Sequence, residues 1–232
     1  MNRKINNCTT QKMTDLKTTN EVDPLRRMVE WQSEQAELSP MDPPDAYSPP
    51  SMDAVAYEDM HPFLQQLVDE HKAAIKELDA FEQALLRIQN TGLDRAADGQ
   101  LRDFFHFFDN NIVKHNQREE ATLFPLLHQR LIENGEHGKG PDALTAVNIL
   151  EDDHTKALQL AAVVFNFFGL AMRLPDANSR LVVLDAAIEQ GKTLVELLKL
   201  HIFREDHIAF AQAHRLLTRA EFEGMEIRVL SL

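Results

Sequence analysis

The sequence contains one polar pattern twice. HNQREEATLF begins at His115 and HIFREDHIAF begins at His201, with histidine, arginine, glutamate, a second acid and phenylalanine at matching positions. Because residues four apart lie on the same face of an α-helix, His115 and Glu119 project together, as do His201 and Glu205. The chain must therefore fold so that two helices, each with a histidine and a glutamate on one face, can bury these polar groups together.

A second, shorter repeat precedes each of these stretches. DEHKAAI contains His71 and DDHTKAL contains His154, and in both an acid precedes the histidine and an alanine follows three residues later. Each half of the chain thus has one lone histidine and, after a similar interval, a histidine and a glutamate one helical turn apart. We interpret the two halves as similar helical hairpins that face each other.

The apolar residues around these motifs follow helical spacing, and no stretch alternates as a strand would. Breaks that contain glycine or proline separate four long segments, which favours the all-α class and an antiparallel up-down four-helix bundle. Pro125 lies inside the second segment and is expected to kink it. The predicted helices cover about 62–89, 100–134, 142–173 and 180–218.

The predicted bundle occupies residues 57–220, between two flanking segments. Prolines concentrate in 40–50, within SPMDPPDAYSPPS, and such a composition is typical of an extended linker. Residues 1–56 are therefore predicted to form a flexible, Pro-rich N-terminal tail. Residues 221–232 are predicted to form a C-terminal extension.

Composition and charge exclude several classes of function. The formal net charge of -13 argues against a nucleic-acid-binding protein, which needs a basic surface. Cys8 is the only cysteine, so neither an intrachain disulfide nor a cysteine-based metal site is expected. No apolar run is long enough to span a membrane, and the first residues lack the apolar core of a secretory signal. A cytoplasmic location is the expectation.

Six polar side chains are expected to converge at the centre of the bundle. Neutral imidazoles are good ligands for iron, zinc or copper, and carboxylates can bridge two metal ions. Two hairpins with the same ligand set predict two ions, each held by two histidines, with both glutamates bridging. The predicted metal ligands are His71, His115, Glu119, His154, His201 and Glu205.

Two alternatives to this ligand set remain open. In one, the site is a structural polar network in which Arg118 and Arg204 pair with the acids. In the other, a ferritin-type centre uses Glu-x-x-His twice, and the chain does contain EDMH at Glu58 and EDDH at Glu151. His61, however, precedes the proline that begins its helix, which places it near one end of the bundle.

The remaining histidines and the two phenylalanine clusters are expected to lie outside the ligand set. At about 100° per residue, the helical histidines fall on other faces, and one further histidine lies in a loop. The phenylalanines are expected to pack in the core rather than to line a channel. These residues are His106, His128, His137, His207 and His214, with the clusters Phe104–Phe108 and Phe165–Phe168.

The order His, His-x-x-x-Glu, His, His-x-x-x-Glu, together with HNQREEATLFP from His115, resembles the hemerythrin-like domain, also called the HHE cation-binding family. The resemblance covers about 60–217. It implies a four-helix bundle around an oxo- or hydroxo-bridged, non-haem di-iron centre, with the six residues above as its ligands. Manganese or a mixed metal centre is compatible with the same ligands.

The sequence departs from the oxygen-carrying members of that family. Carriers have a fifth histidine one turn before the shared one on the third helix, and Leu150 stands there. Carriers also place an aspartate five residues after the last histidine, where this chain has Asp206. We prefer Glu205, because it matches Glu119 in the repeat. The ligand pattern instead resembles the branch that includes iron–sulfur-cluster repair proteins linked to nitric oxide stress, although Cys8 alone does not match their cysteine motif.

The resemblance and the ligand count lead to one function and one alternative. With two histidines per iron, two bridging carboxylates and one bridging oxygen, each iron has about five ligands, so octahedral iron keeps one open position. We therefore expect the centre to bind or react with dioxygen, peroxide or nitric oxide, in iron-centre repair or a stress response. The alternative is an iron or gas sensor, or an iron store, that has no catalytic turnover.

Overall fold

The structure is a computed structural model that describes residues 55–138, 140 and 143–229. All regular elements within those residues are helical and none is a strand, which confirms the predicted all-α class. The predicted N-terminal tail lies outside the described residues, apart from residues 55 and 56. Residues 230–232 of the predicted C-terminal extension also lie outside them.

The described residues form eight α-helices that build four long arms. The first arm is α1, the second combines α2, α3 and α4, the third is α5, and the fourth combines α6 and α7. A π-helical turn, Phe108–Ile112, joins α2 to α3, and a second, Glu205–Ala209, joins α6 to α7. The helices are α1 (Pro62–Thr91), α2 (Arg95–Phe107), α3 (Val113–Ala121), α4 (Leu123–Glu133), α5 (Ala146–Ala171), α6 (Ala177–Arg204), α7 (Phe210–Leu216) and α8 (Arg219–Val229).

Short polar residues determine where the helices begin. Asp94 accepts a hydrogen bond from the backbone N–H of Ala97 (2.7 Å), and Asp176 accepts one from Ser179 (2.7 Å). Thr145 forms a reciprocal capping box at the start of α5. These caps explain why α2 and α6 begin before the predicted 100 and 180, and why α5 begins after the predicted 142.

The second arm is interrupted where the sequence predicts a kink. Pro125 has no N–H to donate to the carbonyl of Ala121, one turn earlier. The backbone leaves the helical conformation at Thr122 (φ -128°), which separates α3 from α4. The Thr122 hydroxyl donates to the carbonyl of Arg118 (2.7 Å) and so satisfies one group near the break.

Two apolar clusters fill the bundle on either side of a polar layer. The first cluster combines the later parts of α1 and α5 with the earlier parts of the second and fourth arms, and includes Leu78, Phe104, Val164 and Leu194. The second cluster combines the opposite parts and includes Leu67, Leu127, Leu150 and Phe210. Successive arms therefore run antiparallel, as predicted.

The C-terminal helix and one phenylalanine cluster add detail to this packing. Phe222 and Met225 of α8 are buried in the second cluster, so part of the predicted C-terminal extension contributes to the core. Phe104 and Phe168 are buried as predicted, but Phe165 is 59% exposed because it lies on the outer face of α5. Among the described helices, none combines the length and the apolar character that a membrane crossing requires.

Candidate metal centre

The polar layer between the two apolar clusters contains all six predicted ligands. Every arm contributes: α1 and α5 each provide one histidine, α3 provides a histidine and a glutamate, and the fourth arm provides the last pair. All six side chains are buried, and Glu119 and Glu205 are 0% exposed. The layer contains His71, His115, Glu119, His154, His201 and Glu205.

The four imidazoles form two close pairs, one from each hairpin. Nε2 of His71 lies 2.9 Å from Nε2 of His115. Nε2 of His154 lies 3.0 Å from Nε2 of His201. Two ring nitrogens that approach each other this closely can both coordinate one ion at the point on which they converge.

The two glutamates connect the imidazole pairs. Oε2 of Glu205 lies 3.2 Å from Nε2 of His71 and 3.1 Å from Nε2 of His201. Oε2 of Glu119 lies 3.4 Å from Nε2 of His115 and 3.7 Å from Nε2 of His154. Both carboxylates therefore belong to two ligand groups at once. The first group is His71, His115, Glu119 and Glu205, and the second is Glu119, His154, His201 and Glu205.

The carboxylate oxygens of this layer lie beside imidazole nitrogens but form no hydrogen bond of regular geometry with them. Among the described residues, neither oxygen of Glu119 and neither oxygen of Glu205 has a hydrogen-bond partner. Burial of an uncompensated carboxylate costs several kcal/mol, so such groups are normally paired or bound to a metal. The donor set, imidazoles with shared carboxylates, fits a pair of metal ions.

Arg118 and Arg204 pair with acids, as in the alternative of a structural polar network, but these acids are not the central glutamates. Arg118 instead donates to Glu70. Arg204 donates to Asp153 at 2.8 Å. Each arginine of the repeated pattern therefore holds an acid outside the ligand layer.

Outer acids orient three of the four imidazoles. Nδ1 of His71 donates to Asp206 Oδ1, Nδ1 of His115 to Glu70 Oε2, and Nδ1 of His154 to Glu120 Oε1, each at 2.7 Å. A proton held at Nδ1 leaves the Nε2 lone pair free to face a metal.

The acids pair with the imidazoles in the same order in both halves of the repeat. The acid before a lone histidine lies beside the histidine of its own hairpin, as Glu70 lies beside His115. The acid after each central glutamate serves the lone histidine of the other hairpin. The symmetry is incomplete at His201, whose Nδ1 is 3.8 Å from Asp153 and has no hydrogen-bond partner among the described residues.

The surrounding carboxylates favour the protonated imidazoles. Burial opposes this, but Asp206 and Glu205 outweigh it and raise the pKa of His71 to about 9. The pKa of His115 and of His201 rises to about 10, again against the effect of burial, because carboxylates lie beside both rings. An ion that binds these nitrogens must therefore displace protons.

The structure separates the ligand candidates that the sequence left open. Glu205 is fully buried between the imidazole pairs, whereas Asp206 is partly exposed and bonds to His71. Leu150 is buried in the second apolar cluster, where it offers no donor. For the ferritin-type alternative, Glu151 is exposed, and His61 caps α1 by accepting from the Phe63 N–H (3.2 Å). Neither residue belongs to a ligand group.

The remaining histidines are outside both ligand groups, as predicted. His128 bonds to the Thr145 hydroxyl, and His207 bonds to the carbonyl of Phe203. The sequence reasoning missed the two π-helical turns, one of which ends three residues before His115 while the other begins at Glu205. Such turns often occur at functional sites.

Comparison with protein families adds an independent observation. Residues 62–213 match the family model described as hemerythrin HHE cation binding domain. The matched range covers well over half of the chain and contains all six residues of the ligand layer. Comparisons with curated proteins and with solved structures gave no significant match.

Proposed function

Because the chain belongs to the hemerythrin HHE cation-binding family, we propose that its ligand layer holds two iron ions that bind or react with dioxygen, peroxide or nitric oxide. The family and the two ligand groups together support metal binding. The proposal goes further in three respects: the centre holds two irons, it reacts with these small molecules, and it acts in iron-centre repair or a stress response.

The observation that carries the proposal is the pair of shared glutamates. Glu119 and Glu205 are each within reach of both imidazole pairs, and their oxygens have no partner among the described residues. Two ions placed at the two groups would compensate both charges. A single ion at one group would leave the other imidazole pair without a role.

The donor types favour iron. Each group offers two imidazole nitrogens and one oxygen from each glutamate, with no thiolate. Mixed nitrogen and oxygen donors suit iron, and manganese or a mixed metal pair remains the alternative for the same donors. Because Leu150 occupies the position where a fifth histidine would add a donor, octahedral iron would keep sites for small ligands.

The chain contributes the environment in which such an ion pair would act. When bound, iron would supply redox chemistry and open coordination sites. The two apolar clusters cover the layer from both ends of the bundle, and the bonds from Nδ1 to the outer acids hold three of the imidazoles in place.

We expect the chain to take up about two iron ions after anaerobic reconstitution with ferrous iron, because it has two complete ligand groups. Iron content per chain is the first measurement. An optical spectrum recorded after admission of air, and separately after nitric oxide, then reports whether the ions react.

A matched control is His106→Ala, which removes an exposed histidine on α2 and should leave the iron content unchanged. An iron-free protein with intact helical circular dichroism would overturn the metal assignment. A chain that holds two ions but gives no spectral change with oxygen, peroxide or nitric oxide would overturn the proposed reactivity.

A further inference from the structure

A cavity of about 840 Å³ opens beside the ligand layer. His71 and His115 of the first group and His201 of the second contribute to its lining. A molecule the size of water takes up about 30 Å³ of liquid volume, so a diatomic gas or peroxide would fill little of this space. Cavities of roughly 300–1,000 Å³ are typical of sites for organic molecules.

The wall of the cavity is mainly apolar. Leu78 of α1, Phe107 of α2 and Ile202 of α6 contribute to it. The π-helical turn Phe108–Ile112 adds Ile112 and two asparagines to the lining. A ligand with an apolar body would therefore be buried against side chains from three arms of the bundle.

Asn116 is a largely buried polar side chain in this mainly apolar cavity wall. The residue is only 8% exposed and lines the cavity. Among the described residues, its side-chain amide has no hydrogen-bond partner. A largely buried polar side chain that makes no hydrogen bond within the described part of the protein and lines a cavity can pair with a polar group on a ligand. An amide N–H can donate to an anionic oxygen.

The charges around the cavity favour an anion. Lys114 is exposed, lines the cavity and has no ion-pair partner among the described residues. Glu70 also contributes to the lining, but Arg118 and His115 both donate to its carboxylate and compensate its charge. Lys114 is therefore a free cation at the cavity of a protein whose net charge is -13.

We propose that this cavity binds an organic anion with an apolar body, placed beside the ligand layer. The anionic group accepts from the Asn116 amide and lies near Lys114, while the apolar body fills the space against Leu78, Phe107 and Ile202. If this molecule also reacts at the metal centre, that role rests on the proposed function. Its binding does not.

The test is titration calorimetry of the iron-loaded full chain with 8-anilinonaphthalene-1-sulfonate, a probe that combines an aromatic body with one anionic group. We expect one saturable site. Ala73 is exposed and lines the cavity, so it lies at the mouth, and Ala73→Trp should weaken binding at least tenfold by obstruction. Asn116→Leu should weaken it about tenfold, the loss expected for a hydrogen bond to a charged group.

Ala80→Trp is the matched control, since Ala80 is also exposed on α1, two helical turns further along and outside the lining. It should leave binding unchanged. The proposal would be overturned if the original protein did not bind the probe. It would also be overturned if Ala73→Trp and Asn116→Leu bound the probe as strongly as the original protein does. Iron content is measured in each sample. If the reconstituted chain holds no iron but still binds the probe, and Asn116→Leu weakens that binding, the two-iron proposal is refuted while the cavity site is retained.

Discussion

Glu205→Ala is expected to reduce the iron content of the reconstituted protein from about two ions per chain to well under one, whereas His71→Ala retains about one. The difference follows from the geometry of the layer. Glu205 belongs to both ligand groups, so its loss removes a donor from each ion. His71 belongs to one group only, so its loss leaves His154, His201 and both glutamates in place. Iron per chain after anaerobic reconstitution and desalting measures the outcome.

The neighbouring acid provides the control for this comparison. Asp206 bonds to Nδ1 of His71 and lies outside both ligand groups. Asp206→Asn should therefore keep about two ions at saturating iron, with an affinity lowered by about 10–100-fold, as expected for loss of an outer hydrogen bond. The ligand assignment fails if Asp206→Asn empties the centre while Glu205→Ala does not. It also fails if Glu205→Ala retains one tightly bound ion.

The convergence of the six residues could be predicted from sequence because two periodicities agree. The four-residue spacing places His115 with Glu119 and His201 with Glu205 on one helix face. The duplicated interval from each lone histidine to the next motif then brings the hairpins into the same layer. Helix ends were less accurate, because caps such as Asp94 and Thr145 depend on local backbone hydrogen bonds that the apolar pattern does not report.

Other parts of the site could not be predicted from sequence. The π-helical turns shift the phase of the helix by one residue, and their occurrence depends on packing rather than on composition. The pairing of Asp206 with His71, and of Glu120 with His154, depends on side-chain directions across different arms. The environment of Asn116 likewise arises only where three arms leave a cavity between them.

Iron binding is expected to raise the free energy of unfolding of the protein by about 4 kcal/mol for each of the two ions when free ferrous iron is a thousandfold above the dissociation constant of that ion. The unfolded chain holds no preassembled site, so nearly all of the binding free energy adds to the stability of the folded state. Glu119→Gln should abolish this increment, because Glu119 belongs to both ligand groups and the neutral amide is a poor substitute for a bridging carboxylate. Urea unfolding, followed by circular dichroism under anaerobic conditions with and without iron, measures the increment for each protein.

The comparison must be made between the increments rather than between the stabilities of the two proteins. Glu119→Gln removes a buried charge whose oxygens have no hydrogen-bond partner among the described residues, so it also alters the stability of the iron-free protein. His106→Ala, on the exposed face of α2, should keep the full increment. An increment that is absent from the original protein would contradict metal binding by the folded layer. If Glu119→Gln showed the same iron-dependent increment in unfolding free energy, the stabilising iron would bind elsewhere. Glu119 belongs to both ligand groups, so its loss should weaken the binding of an ion at either one.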